Sequence, residues 1–133
     1  MAQEFIGKYI RIEDLDKRMQ NKIKKKWGTK FGPKQPIALF CAYKNTYGNV
    51  IVSFSSCAID DLNKFTKGYA WWAARCNADI IPQYKNVYDQ LPFHLTQFAD
   101  DIIFRAKSFF KTSDLKICFR VDERSKAILK SEV

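Results

Sequence analysis

The chain has 133 residues, 47% hydrophobic and 15% aromatic, which excludes a disordered polymer and suits one compact domain over 1–133. It carries 23 Lys and Arg against 14 Asp and Glu, a net charge of +9 that favours anionic partners. No apolar run approaches the roughly 18 residues of a membrane span, no cationic stretch leads into an apolar one as in a signal peptide, and the four cysteines show no Cys-x-x-Cys spacing.

These bounds predict a cytoplasmic protein in a reducing compartment. Its thiols, Cys41, Cys57, Cys76 and Cys118, each lie in an apolar run and read as small packing groups. The charge is concentrated. From Lys17 to Ile59 there are nine basic residues and no acid, so the remainder holds 14 of each sign. The whole net charge lies in this one segment.

Glu4 to Ile12 alternates, with Ile6, Lys8, Ile10 and Ile12 on one side and Phe5, Gly7, Tyr9 and Arg11 on the other. That period predicts a strand, and Gly7 with the charges suggests a sheet edge. Glu13 and Asp14 then offer an N-cap and an acidic first turn. Leu15, Met19, Ile23 and Trp27 recur every fourth residue as the apolar stripe of a helix, and Gly28 ends it. Lys17, Arg18, Lys22, Lys24, Lys25 and Lys26 cover the rest of that helix. Lysines in a last helical turn are also favoured by the helix dipole, so part of the clustering has a structural cause.

Thr29 to Gln35 is a loop by its Gly32-Pro33 pair, and it holds Lys30, Phe31 and Lys34. Ile37 to Tyr43 is continuously apolar, which predicts a strand covered on both faces. Asn45 to Asn49 supplies turn residues, with Gly48 free to take a positive φ. Val50 to Ser56 alternates and returns as the second arm of a hairpin over 36–58. Asp60-Asp61 caps a further helix with Leu62, Phe65, Tyr69, Trp72, Ala73 and Cys76 as its apolar stripe. Gly68 within it suggests a close approach by Trp71 or a neighbouring element.

A short helix within Gln83–Leu91 is expected after Pro82. Pro92 then opens an amphipathic helix with Leu95, Phe98, Ala99, Ile102, Ile103, Ala106, Phe109 and Phe110 at spacings of three and four. Leu115, Ile117, Phe119 and Val121 predict a last strand, and Ser125 to Lys130 one or two helical turns before a mobile end. The fold class that follows is α+β: a small, mainly antiparallel sheet of about four strands around the central hairpin 36–58, covered by two or three amphipathic helices.

The leading functional reading is a non-enzymatic protein that contacts nucleic acid without sequence specificity. Lys22, Lys24, Lys25, Lys26, Lys30 and Lys34 would hold phosphates. Phe31, Trp27, Tyr43 or Tyr47 would stack on bases. Nothing resembles a recognition helix with Asn, Gln and Arg aimed at base edges.

The structural alternative is a solvated helix face, yet such faces normally mix signs. A second reading is an inhibitor or regulator that occupies an acidic surface of a larger enzyme. It would use Trp71, Arg75, Tyr84, Tyr88 and Arg105 with the basic face. In texture (small, basic, aromatic-rich, without a motif) the chain resembles many virus- or phage-encoded accessory proteins. A third reading is a small ribonuclease using Arg, Lys and His94 for acid–base work.

Arg75 and Arg105 also have same-face acids four residues away, Asp79 and Asp101, so structural ion pairs compete with any site role. A lone histidine without Cys at ligand spacing argues against a zinc site. A Cys–His nucleophile pair needs only closeness in space, which spacing does not decide, and a surface or capping His94 is the commoner arrangement. Asp122, Glu123 and Lys126 match no trusted metal-nuclease spacing. No cofactor, metal or catalytic residue is expected.

Overall fold

Every residue from Ile37 to Tyr43 is buried, as a strand with helices on both faces requires. This strand, β2 (Pro36–Lys44), is one of two central strands in the computed structural model, which describes residues 5–57, 59–80 and 95–119. β1 (Phe5–Arg11) pairs antiparallel with it, Phe5 opposite Tyr43 and Ile10 opposite Ala38. β3 (Val50–Ser56) pairs antiparallel on the other side, Phe40 opposite Phe54. β4 (Leu115–Cys118) lies parallel to β3, with Val52 opposite Ile117. The described strands therefore form a mixed four-stranded sheet in the order β1-β2-β3-β4, with β1 at one edge.

The hairpin turn closes as its residues dictate. Gly48 takes φ +83°, and the Asn45 carboxamide oxygen accepts from the backbone N–H groups of Tyr47 and Asn49.

Among the described residues three α-helices cover the sheet: α1 (Lys17–Trp27), α2 (Lys67–Ile80) and α3 (Thr96–Phe110). The period-two alternation of β2 sorts its side chains between two cores. Ala38, Phe40 and Ala42 meet Met19 and Ile23 of α1 and Ala99, Ile102 and Ala106 of α3. Leu39, Cys41 and Tyr43 meet Ala70 and Ala74 of α2. The result is α+β with helices on both faces of the sheet.

The helix expected from Asp60 differs. The chain forms a 3-10 segment, Ile59–Lys64, and α2 begins only at Lys67, with the Thr66 hydroxyl accepting from the Tyr69 N–H. The buried stripe is also rotated. Ala70 and Ala74 face the sheet, and Tyr69 and Trp72, expected inside, are exposed. The cause lies across the interface, where β3 presents Ser53 and Ser55. Their hydroxyls donate to the carbonyls of Ala74 at 2.7 Å and Ala70 at 2.8 Å. Buried hydroxyls need such partners, and only small helix residues let the backbones come this near.

Two other details correct the sequence reading. The N-cap of α1 is Asp16, whose carboxylate accepts from the Met19 N–H, while Glu13 and Asp14 lie in a 3-10 turn before it. The close approach attributed to Gly68 occurs at Gly7. A Cβ there would sit 2.9 Å from Trp71 Cζ2, whereas nothing lies within 4 Å of a Cβ at Gly68. The helix within 83–91, the start at Pro92, the strand residue Val121 and the tail turns lie outside the described residues.

Candidate nucleic-acid interface

α1 exists because an apolar residue every fourth position lets one stripe pack while caps satisfy both ends. Met19 and Ile23 are buried, Trp27 is half-buried, and the Gly28 N–H closes the last turn on the Lys24 carbonyl at 2.7 Å. Gln20 is half-buried, its side chain donating to the Leu15 carbonyl at 2.8 Å, and the remaining residues of the helix face outward. Lys17, Arg18, Lys22, Lys24, Lys25 and Lys26 are all exposed, and α1 itself contains no acid. Arg18, Lys22 and Lys25 stand at i, i+4 and i+7 and so share one side. Lys24, Lys25 and Lys26 occupy the last turn, at the negative end of the helix dipole. Among the described residues no carboxylate pairs with Lys22, Lys24 or Lys25.

The loop beyond Gly28 is tied to the end of β1. The Ile12 N–H donates to Gln35 O and the Glu13 N–H to Pro33 O, both at 3.0 Å. Arg11 Nη1 donates to Lys34 O. This places Lys30 beside the end of α1, with its ammonium 5.3 Å from the Trp27 ring centroid and 5.8 Å from that of Phe31. Lys34 is different, because its ammonium pairs with Glu13 at 2.9 Å, which locally offsets its charge.

Trp27 and Phe31 meet edge to face, centroids 5.4 Å apart, and both are packed half-buried against the α1/α3 core. Their rings serve the packing of this corner first. Tyr43 does not lie near the basic face. It is buried on the opposite side of the sheet, under the Arg75 guanidinium at 5.5 Å. Tyr47 is 87% exposed at the hairpin tip.

The remaining candidate residues are dispersed. Trp71 is half-buried, lies over Gly7 and donates from Nε1 to the Tyr9 hydroxyl at 3.1 Å. Arg75 is half-buried with its Nε enclosed and without a hydrogen-bond partner. Arg105 is exposed on α3, 3.9 Å from Asp101. Because α2 and α3 cover opposite faces, Arg75 and Arg105 share no cleft. Tyr84, Tyr88, His94, Asp122, Glu123 and Lys126, and the Asp79 side chain, lie outside the described residues.

Sequence reasoning missed Tyr69 and Trp72 as surface groups. The signal was present in the small residues. Ser53 and Ser55 on one face of β3 match Ala70 and Ala74 on α2, and that pairing predicts which stripe is buried.

Cys41 and Cys118 are buried packing groups. Burial pushes Cys41 up to about 12, against a smaller opposing effect of the Arg75 charge. Burial also raises Cys118, opposed by Lys116. A thiol held protonated at neutral pH is a poor nucleophile and a poor metal ligand. Among the described residues no three His, Cys, Asp or Glu side chains converge, and no helix is long and apolar enough to cross a membrane. Comparison with known proteins finds no matching family model and no significant match among curated proteins or solved structures.

Proposed function

We propose that this protein is a non-enzymatic nucleic-acid-binding protein that contacts the sugar-phosphate backbone through α1 and Lys30, without sequence specificity. One observation carries the reading: Lys22, Lys24 and Lys25 stand exposed on a helix without an acid, and none pairs with a carboxylate among the described residues. A solvated face kept only for solubility normally interleaves both signs, and each ammonium here gains from a phosphate by releasing condensed counterions. Lys34 contributes less, since Glu13 already pairs with it. The lysines are held by a helix whose other side is buried, so binding requires no folding of the contact surface.

The test is fluorescence anisotropy of labelled nucleic acid across a salt series. Affinity falls as a power of salt concentration, with a slope of about 0.9 per phosphate contact on duplex and about 0.7 on single strands. Lys24→Glu with Lys25→Glu flattens that slope and weakens all sequences alike. Absence of binding to duplex DNA, single-stranded DNA and RNA near 0.1 M salt, where the Debye length is about 10 Å, overturns the reading.

A further inference from the structure

We propose that the polyanion this protein takes is B-form duplex DNA, with α1 laid along the major groove between its two phosphate rows. The inference rests on the backbone-binding reading above and adds the form of the nucleic acid.

The placement of the lysines around the helix carries it. At about 3.6 residues per turn, the buried stripe of Met19 and Ile23 fixes where every other side chain of α1 points. Arg18, Asn21 and Lys25 fall on the side opposite that stripe and form an outward ridge. Lys22 falls on one flank of the ridge, and Lys17 and Lys24 fall on the other. All of these residues are exposed. Lys22 and Lys24 therefore stand nearly opposite each other across the helix, and neither pairs with a carboxylate among the described residues. The acids that precede the helix are engaged at its N-terminal end, where Asp14 accepts from the Arg11 N–H and Asp16 from the Met19 N–H, both at 2.9 Å.

Shape and charge select the partner. A helix with its side chains is about 10–12 Å across, and the major groove of B-DNA is about 12 Å wide with phosphates along both edges. A helix seated there meets phosphate on both flanks at once, which uses Lys22 and Lys24 together. A lone backbone resting on α1 reaches one flank and leaves the other in water. The 11 residues of α1 extend about 16 Å at 1.5 Å per residue, enough to follow the groove for roughly five base pairs.

Other nucleic acids match this face less well. Single-strand binders offer exposed rings on which bases stack. Here the rings beside the lysines are occupied, because Trp27 and Phe31 pack edge to face and half-buried against the core. Double-stranded RNA has a major groove too narrow for side chains to read. Contacts to two phosphate rows position a protein on a duplex without selecting its sequence, which agrees with the backbone reading.

The test uses the full chain and fluorescence anisotropy across a salt series. The probes are a short DNA duplex, the same duplex with glucosylated 5-hydroxymethylcytosines filling its major groove, a double-stranded RNA of that length, and oligo(dT) of equal phosphate number. The plain DNA duplex binds most tightly. Filling its major groove removes most of that affinity, whereas netropsin, which occupies the minor groove, leaves it unchanged. Lys22→Gln and Lys24→Gln each lower the salt slope on the duplex by about 0.9, one phosphate contact apiece. Circular dichroism of both variants matches the parent, since neither side chain belongs to the core.

If only one of the two substitutions lowers the slope, α1 touches a single backbone and the groove placement is overturned. It is likewise overturned, with the basic-helix reading left standing, if the groove-filled duplex, the RNA or oligo(dT) binds as tightly as the plain duplex, or if netropsin displaces the protein. If the parent binds and neither substitution changes the slope, or if the parent binds no probe, both readings fall.

Discussion

The two faces of the sheet are held by different physics. On the α1/α3 side, β2 and β3 contribute Phe40 and Phe54, centroids 4.5 Å apart, with Phe119 at 5.4 Å from Phe40, and the helices add Met19, Ile23 and Ile102. That face gains its stability from apolar bulk, which is non-directional. On the α2 side the same strands contribute Leu39, Cys41, Tyr43 and Ile51 together with Ser53 and Ser55, and the helix answers with Ala70 and Ala74. Apolar side chains are buried there too, but the helix meets them with its smallest residues. Two hydroxyl-to-carbonyl bonds and one tryptophan seated over Gly7 set where the helix lies. Apolar bulk holds one helix layer, and on the other polar bonds and close fit add to it. The outer surfaces differ too: α1 presents lysines, whereas α2 presents aromatic rings.

Substitutions break this comparison in a definite order. Phe40→Ala removes a fully buried ring from the bulky face and costs about 3–5 kcal/mol, read as a shift of the urea midpoint without a change in slope. Gly7→Val acts on the other face by steric conflict with Trp71 and costs about 1–3 kcal/mol, with a change in tryptophan emission as the ring is displaced. A silent Gly7→Val would mean that α2 is not seated by that contact.

Ser53→Ala and Ser55→Ala each cost about 1 kcal/mol, because the helix carbonyls they serve retain their place in the α2 ladder. Losses at the serines equal to that at Phe40 would erase the distinction between bulk and fit. Lys24→Glu with Lys25→Glu costs no more than about 1 kcal/mol of stability, from reversing charge at the negative end of the helix dipole, while changing binding, since neither side chain touches a core. The smallest effect is chemical. Cys41 resists iodoacetamide in the folded protein at pH 8.5, near the unperturbed thiol value of about 8.5, and reacts after unfolding, because burial holds its thiol near 12.

How much of this was legible depends on the element. The hairpin was readable because Ile37 to Tyr43 is apolar throughout and Asn45 to Asn49 can form only a turn. α1 was readable because four apolar residues recur at one spacing, with Gly28 placed to stop it. α2 was misread because its large residues form a plausible stripe through Tyr69 and Trp72. Hydrophobicity scored those rings above the alanines, but a helix bonded to strand hydroxyls buries its smallest side chains. Gly68 was misread for a related reason: a glycine's partner lies across space, and the glycine that admits Trp71 is sixty-odd residues earlier, on β1.

The candidate site divides in the same way. The lysines of α1 were visible as a run without acids, since their exposure follows from the stripe opposite them. That Lys34 pairs with Glu13, that Trp27 and Phe31 pack on each other, and that Tyr43 lies on the far face were not visible.

Taken alone, the amino-acid sequence determined the elements whose signal is local: the hairpin, the basic amphipathic helix, the edge character of β1, and the confinement of net charge to Lys17–Ile59. Periodicity, turn chemistry and charge need only near neighbours along the chain. Tertiary structure alone decided the parallel pairing of β4 with β3, the stripe that α2 buries, and the exposure of Tyr69 and Trp72. Each of those depends on which surface a segment meets, and that surface is assembled from residues far away in the chain.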